Sequence, residues 1–147
     1  MDELDKTILR ILVSNNDKPL RRIAAELGVP VSTLHDRVKR LVKQGVIKGK
    51  TILIDEKKLG YAIKALILIN VDGKKILEVE KEIAENPNVQ LVLDITGEFD
   101  IAVVALFKTI EELDRFVKNL LKNPAIKQTR TSIAFRTIKQ EINPPII

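Results

Sequence analysis

The chain has 147 residues, 45% of them apolar, and a formal net charge of +5, which suits one or two small domains and excludes a disordered polymer. It contains no cysteine, which rules out a disulfide framework or a thiolate metal site and agrees with a reducing cytoplasm. No apolar run nears the ~18 residues of a membrane span, and the acidic start Met1-Asp2-Glu3-Leu4-Asp5 lacks the apolar stretch of a secretory signal, so no membrane partner is expected.

A first helix is predicted from about Leu4 to Ser14, with Leu4, Ile8, Ile11 and Leu12 as its inner stripe. Asp2, Glu3 and Asp5 complement the positive end of that helix. Asn15-Asn16-Asp17 with Pro19 is a turn cluster. Leu20 to Leu27 carries apolar residues at 20, 23, 24 and 27, the spacing of an amphipathic helix, and Gly28 follows as a residue that tolerates a left-handed helix end. A third helix runs from Val31 to about Gln44 with Leu34, Val38 and Leu41 inward. At ~100° per residue, Ser32, Asp36, Lys39, Arg40 and Lys43 turn away from that face. A short buried helix, a tight turn and a second helix with an outward basic face describe a helix-turn-helix. Val46 to Ile54 reads as a short strand or wing and then a second strand. The expected winged helix-turn-helix thus spans residues 1–50, with a wing strand and linker over 51–62 that closes on the polar stretch Asp55–Gly60.

The second half has a different rhythm. Ile63 to Val71 is predicted as a strand, and Lys74 to Glu85 as a helix with Ile76, Val79 and Ile83 inward. After the turn Pro87-Asn88, Val89 to Thr96 is a strand with Val89, Leu91, Leu93 and Ile95 on one face. Gly97-Glu98-Phe99-Asp100 is a tight connection into a strand over Ile101 to Phe107. A helix over Ile110 to Leu121, a break at Asn123-Pro124 and a long last strand over Ile126 to Lys139 complete the order. The order β-α-β-β-α-β over residues 63–140 is that of a ferredoxin-like domain, an antiparallel sheet with two helices on one face, and residues 141–147 are a tail leaving the sheet. The fold class is α+β. Ile63 to Val71 and Ile101 to Phe107 are nearly continuous apolar runs, whereas a sheet with one wet face alternates. Two helices cover one face only, so the other calls for a second copy of the sheet in a C2 dimer. The plainer alternative is a central strand that exposes a few valines and alanines.

Charge is unevenly placed. Residues 18–50 hold nine basic and two acidic side chains, a balance of +7, and residues 63–147 are neutral. Double-stranded DNA is the polyanion this suggests; an ordinary helical hairpin with a solvated charged face is the alternative. Arg21, Arg22, Lys39, Lys43 and Lys48 are candidates for phosphates, and Ser32, Thr33, Asp36, Arg37 and Arg40 for base edges. A carboxylate at position 36 is repelled by phosphate unless it accepts from a cytosine amino group or pairs with Arg40 four residues on, and the intrahelical pair is the expected outcome. His35, the only histidine, is expected to serve packing or backbone contact rather than a metal. With no glycine-rich phosphate loop and no metal-ligand cluster, neither a catalytic residue nor a metal or other cofactor is expected, and an enzyme is not. The alternative function is a metabolic sensor or enzyme built on the second half without specific DNA binding.

Several ordered motifs resemble one family. Leu4-Asp5-Lys6-Thr7-Ile8-Leu9, then Ile23-Ala24 with Leu27-Gly28, Arg37-Val38 with Leu41, Gly45-Val46-Ile47-Lys48-Gly49, Leu59-Gly60 and Ile95-Thr96-Gly97-Glu98-Phe99-Asp100 resemble, over nearly the whole length, the leucine-responsive regulatory protein/AsnC (feast/famine) family of transcription regulators. The resemblance implies a DNA-binding regulator that dimerises through its C-terminal sheets, assembles dimers into octamers and binds an amino-acid effector between dimers. Pro30 is a departure, since many members have serine there; proline suits a first helical turn but brings no capping oxygen. The resemblance also gives the turn Thr96, Gly97, Glu98, Phe99 and Asp100 a ligand reading. Backbone amides beside Gly97 would hold a carboxylate, Asp100 the ammonium, and Thr129 and Thr131, two apart on one strand, would add hydroxyls. On the residues alone, Gly97 and Asp100 simply close a hairpin.

Overall fold

Asp2 opens the first helix of the computed structural model, which describes residues 1–147. Its carboxylate accepts from the Asp5 amide at 2.9 Å, and the Asp5 carboxylate accepts from the Asp2 amide at 3.1 Å, so two helix-end donors are satisfied reciprocally. The chain divides into two compact units, residues 1–53 with 139–147, and residues 54–138.

The first unit contains α1 (Glu3–Ser14), α2 (Leu20–Leu27) and α3 (Val31–Lys43). Gly28 ends α2 at φ +66°, a left-handed angle, and the Val29 amide returns to the Ala24 carbonyl at 3.0 Å. Ile8, Ile23, Ala24 and Leu34 form a fully buried centre, with Leu4, Ile11, Leu12, Leu20, Leu27, Val29 and Val38 packed around it. The strands expected over Val46 to Ile54 are not formed. A strand needs a neighbouring strand for its amides and carbonyls, and this segment pairs with none in the chain; the Asn16 side-chain amide donates to the Thr51 carbonyl at 3.4 Å instead. Ile52, Leu53 and Ile54 are left 77%, 81% and 58% exposed. Residues 139–147 belong to this unit: the Arg10 Nε donates to the Ile146 carbonyl at 3.1 Å. Ile142, Pro144 and Ile146 line, with Leu9, Leu12 and Val13, a groove of about 1060 Å³.

The second unit opens with a 3-10 turn, Glu56–Leu59, and continues with β1 (Ile63–Val71), α4 (Ile76–Ala84), β2 (Val89–Asp94), β3 (Ile101–Phe107), α5 (Ile110–Leu121) and β4 (Ile126–Ile133). The strands form one antiparallel sheet in the order β2-β3-β1-β4, the ferredoxin-like arrangement. Ile63, Ala65, Ile67, Ile69 and Val71 of β1 and Ile101, Val103, Ala105 and Phe107 of β3 form the core with Val79 and Ile83 of α4 and Leu113 of α5. Phe107 meets Phe116 of α5 at a centroid distance of 5.3 Å. The alternate residues of β1 and β3 point to the opposite, open face.

Two expectations are corrected here. β4 ends at Ile133 rather than Lys139, because its neighbour β1 begins at Ile63 and the last ladder bond runs from the Ala134 amide to the Lys64 carbonyl. Val89 does not share a face with Leu91 and Leu93. The register of β2 on β3 shifts between Val89 and Leu91, so Val89 lies opposite Ala105 on the helix side, while Leu91 lies opposite Val104 and Leu93 opposite Ala102 on the open side. No helix is long and apolar enough to cross a membrane.

Candidate functional site

α3 follows Pro30 directly, and its inward residues Leu34, Val38 and Leu41 fix which side faces out. Ser32, His35, Asp36, Lys39 and Lys43 are exposed on it, and Thr33 is half-buried. Lys39, Lys43 and Lys48 have no ion-pair partner, and neither does exposed Arg21. Arg22 is shared with Glu26 of its own helix at 3.5 Å, and Lys18 also pairs with Glu26. The free cations are therefore mostly the lysines of α3 and of the segment after it. His35 is exposed, and its side chain makes no hydrogen bond within the protein.

The two arginines of α3 behave differently. Arg37 Nη1 donates to Asp2 and, at 3.1 Å, to Asp5 Oδ1. Arg40 Nη2 donates to both Asp5 oxygens at 3.0 Å. Asp5 is 1% exposed and is the one buried polar side chain in the protein. Burial alone would raise its pKa; the Asp2 amide, the Arg37 hydrogen bond and the Arg40 charge overcome this and hold it below the ordinary value. The Arg37 hydrogen bond, then the Asp5 amide, bring Asp2 down to about 2, and the same two carboxylates raise Arg37. The expected Asp36–Arg40 pair is not made. An exposed pair four residues apart is weak, whereas a carboxylate inside the fold interacts in a lower dielectric and offers both oxygens. Asp2 and Asp5 were legible only as helix-start charges, because their partners lie more than thirty residues away.

The second candidate is the turn between β2 and β3. Gly97 sits at φ +107°, and a Cβ there would meet nothing within 4 Å, so the backbone angle rather than space calls for glycine. Asp100 holds the turn with three bonds: its Oδ2 accepts from the Val71 amide at 2.8 Å, its amide donates to Ile69, and its carbonyl accepts from Ile95. Phe99 is buried, and the Arg130 guanidinium lies over its ring at 4.8 Å. Arg130 Nη2 is also 3.7 Å from Glu98, and both side chains are exposed. Thr129 and Thr131 pair with Ile69 and Ile67, on the helix side of β4, and neither hydroxyl bonds to the turn; the β4 residue that reaches it is Arg130, which the sequence reading passed over. Thr96, Gly97 and Glu98 are exposed. No group of three or more His, Asp or Glu side chains is placed to hold a metal ion.

Comparison with known proteins matches both halves. The family model of the Lrp/AsnC ligand binding domain matches residues 64–144, and that of a winged helix-turn-helix DNA-binding domain matches residues 1–48. An uncharacterized HTH-type transcriptional regulator of Pyrococcus furiosus is 40% identical over 141 residues, 96% of this chain and 95% of that protein. The HTH-type transcriptional regulator FL11 of Pyrococcus horikoshii is 37% identical over 146 residues, 99% of this chain and 97% of that one. Among solved structures, AsnC of E. coli superposes with a TM-score of 0.91 at 25% identity, over 99% of each chain. A transcriptional regulator of Neisseria meningitidis, in complex with L-Met, shares the fold with a TM-score of 0.90 at 21% identity, over 99% of this chain and 96% of that one. With each half matched by its own family model and whole-length relatives named as transcription regulators, the chain belongs to the Lrp/AsnC family of DNA-binding transcription regulators.

Proposed function

We propose that this regulator takes a free amino acid as its effector, at contacts between dimers in an octamer, and adjusts its hold on DNA through that assembly. The carrying observation is the turn Thr96–Asp100, where Glu98 and Arg130 stand as an exposed pair of opposite charges 3.7 Å apart beside the left-handed Gly97. A zwitterion needs an acceptor for its ammonium and donors for its carboxylate. Asp100 is occupied in closing the turn, so Glu98 is the acceptor in this reading, and the amides beside Gly97 are the donors. Phe99 forms the floor, and Thr129 and Thr131, on the helix side of β4, take no part. The Neisseria relative with L-Met supports the ligand class.

Assembly rests on the open face of the sheet. Leu66, Leu68, Leu91, Leu93, Ala102 and Val104 share it, opposite the two helices, and Leu66, Leu91 and Leu93 are 43% to 46% exposed. A second copy laid on this face makes the C2 dimer. In this reading residues 1–50 bind DNA in the cytoplasm, 51–62 link, 63–140 assemble and take the effector, and no metal or prosthetic group takes part. Ligand affinity and DNA affinity are then coupled by equal free energies in both directions.

Calorimetry of the full chain against the protein amino acids tests the effector site. We expect at least one to bind at millimolar concentration or below, and binding to be lost in Glu98→Lys. No binding in that range, or binding untouched by Glu98→Lys, overturns the site. For the assembly, wild type sedimenting as a monomer at micromolar concentration overturns the dimer, and Val104→Asp is expected to produce monomers.

A further inference from the structure

Asp36 is the sixth residue of α3, on the second turn of the helix and on its exposed side. A carboxylate on a DNA-facing helix is repelled by the phosphates, so it needs a cation of its own or a donor on the DNA. The obvious cation is Arg40, one helical turn on, and Asp5 has taken it: Arg40 Nη2 is bound at 3.0 Å to each Asp5 oxygen. Arg37, the next residue, is bound to Asp2 and Asp5. Lys39, three residues on, lies outside ion-pair distance, and Asp36 accepts no hydrogen bond in the protein.

We infer that Asp36 is a specificity-determining residue of the DNA interface, accepting the N4 amino hydrogen of a cytosine in the major groove, and that the Asp2–Asp5 pair enables this by withdrawing both neighbouring arginines. Cytosine is the base whose major-groove edge offers a donor without an adjacent acceptor, and Asp and Glu are its matching side chains. The withdrawn arginines form, with Asp2 and Asp5, a group of four charges that cancel. They add little to counterion release, which is left to Arg21, Lys39, Lys43 and Lys48. The exposed carboxylate weakens binding to every sequence and is compensated only where a cytosine meets it. Specificity here comes from repelling wrong sites as well as attracting the right one.

The test uses sites selected by the full-length protein from a randomised duplex pool, with affinities for a selected and a scrambled duplex measured on wild type, Asp36→Ala and Asp36→Asn. The expected signature is a change of opposite sign on the two duplexes. Asp36→Ala binds the scrambled duplex more tightly, binds the selected duplex about tenfold more weakly, and on reselection loses the cytosine preference at one position per half-site. Asp36→Asn moves that position toward adenine, the base an amide reads with two bonds. If Asp36→Ala strengthens both duplexes equally, or reselection returns the wild-type site, Asp36 is only a repulsive surface charge and the inference is wrong. Because Asp36 is exposed and unpartnered, neither variant disturbs the fold, which a melting curve checks.

Discussion

Asp5 and Glu80 are carboxylates in the two units, each beside a second carboxylate, and their charge states are driven in opposite directions. Asp5 is the more deeply buried, yet its pKa is lowered; Glu80 of α4 is half-buried, and its pKa is raised. Asp5 has two guanidiniums and a helix-start amide. Glu80 has burial, then a hydrogen bond with Asp94, then Asp94's charge, all acting against ionisation, and its Oε1 has no partner. The sign of the partner outweighs depth of burial in deciding which carboxyl keeps its proton. The first unit uses charge as a fastener between α1 and α3. The sheet unit is held by its apolar core and carries Glu80–Asp94 as a local penalty.

The comparison breaks most visibly at Asp5. Asp5→Ala leaves Arg37 and Arg40 without their shared anchor, and we expect a loss of roughly 3 kcal/mol in the stability of the first unit, read by chemical denaturation. An unchanged midpoint would mean the four charges are a surface decoration. Glu80→Gln is expected to do the reverse, because an amide donates to Asp94 without repelling it. A carboxyl with a raised pKa contributes its full stability below its ordinary value and loses it as pH rises through the raised one. The variant should therefore gain roughly 0.5–1 kcal/mol at pH 7, the worth of one hydrogen bond, and nothing at pH 3.5. Equal midpoints at pH 7 would show that Glu80 and Asp94 do not repel. The smallest effect is at Asp2. Its pKa, lowered from 3.8 to about 2, gives stability that is present above the ordinary value and lost as pH falls through that window. Melting curves of Asp2→Asn should lie below wild type at pH 7 and meet it near pH 2; parallel curves at both would remove the Arg37 contact from the account.

What the sequence made legible follows the range of the forces involved. α2 over Leu20–Leu27, β1 over Ile63–Val71, β3 over Ile101–Phe107 and α5 over Ile110–Leu121 have the bounds expected from periodicity, because Gly28, Gly60 and Thr109 punctuate the chain locally. Where the answer depended on a distant segment, local reading failed. Val46 to Ile54 has strand-forming residues but pairs with no other strand of the chain. β4 stops where β1 starts. Arg40 was given to Asp36, four residues away, when the buried Asp5 was the stronger partner. The candidate DNA face was legible in its exposed residues, Ser32, Lys39 and Lys43, since a 3.6-residue period places them. The assignment of its arginines was not, since that depends on tertiary contact. At the second candidate, Gly97 and Asp100 were readable as a turn, but Arg130 entered only once the β1–β4 register was known.

The irregularity in β2 has a consequence for how this strand tolerates length change. Gln90 is the surplus residue between Val89, opposite Ala105, and Leu91, opposite Val104, which are adjacent positions on β3. Deleting Gln90 makes Val89 and Leu91 consecutive, and consecutive strand residues already face opposite ways. Every side chain of β2 therefore keeps its side of the sheet in the shortened strand: Val92 still meets Val103, and Leu93 still meets Ala102. In most strands a single-residue deletion turns the pattern inside out. Here it removes a bend and leaves the pattern standing, so a chain one residue shorter between α4 and β3 keeps the same open face without a compensating change.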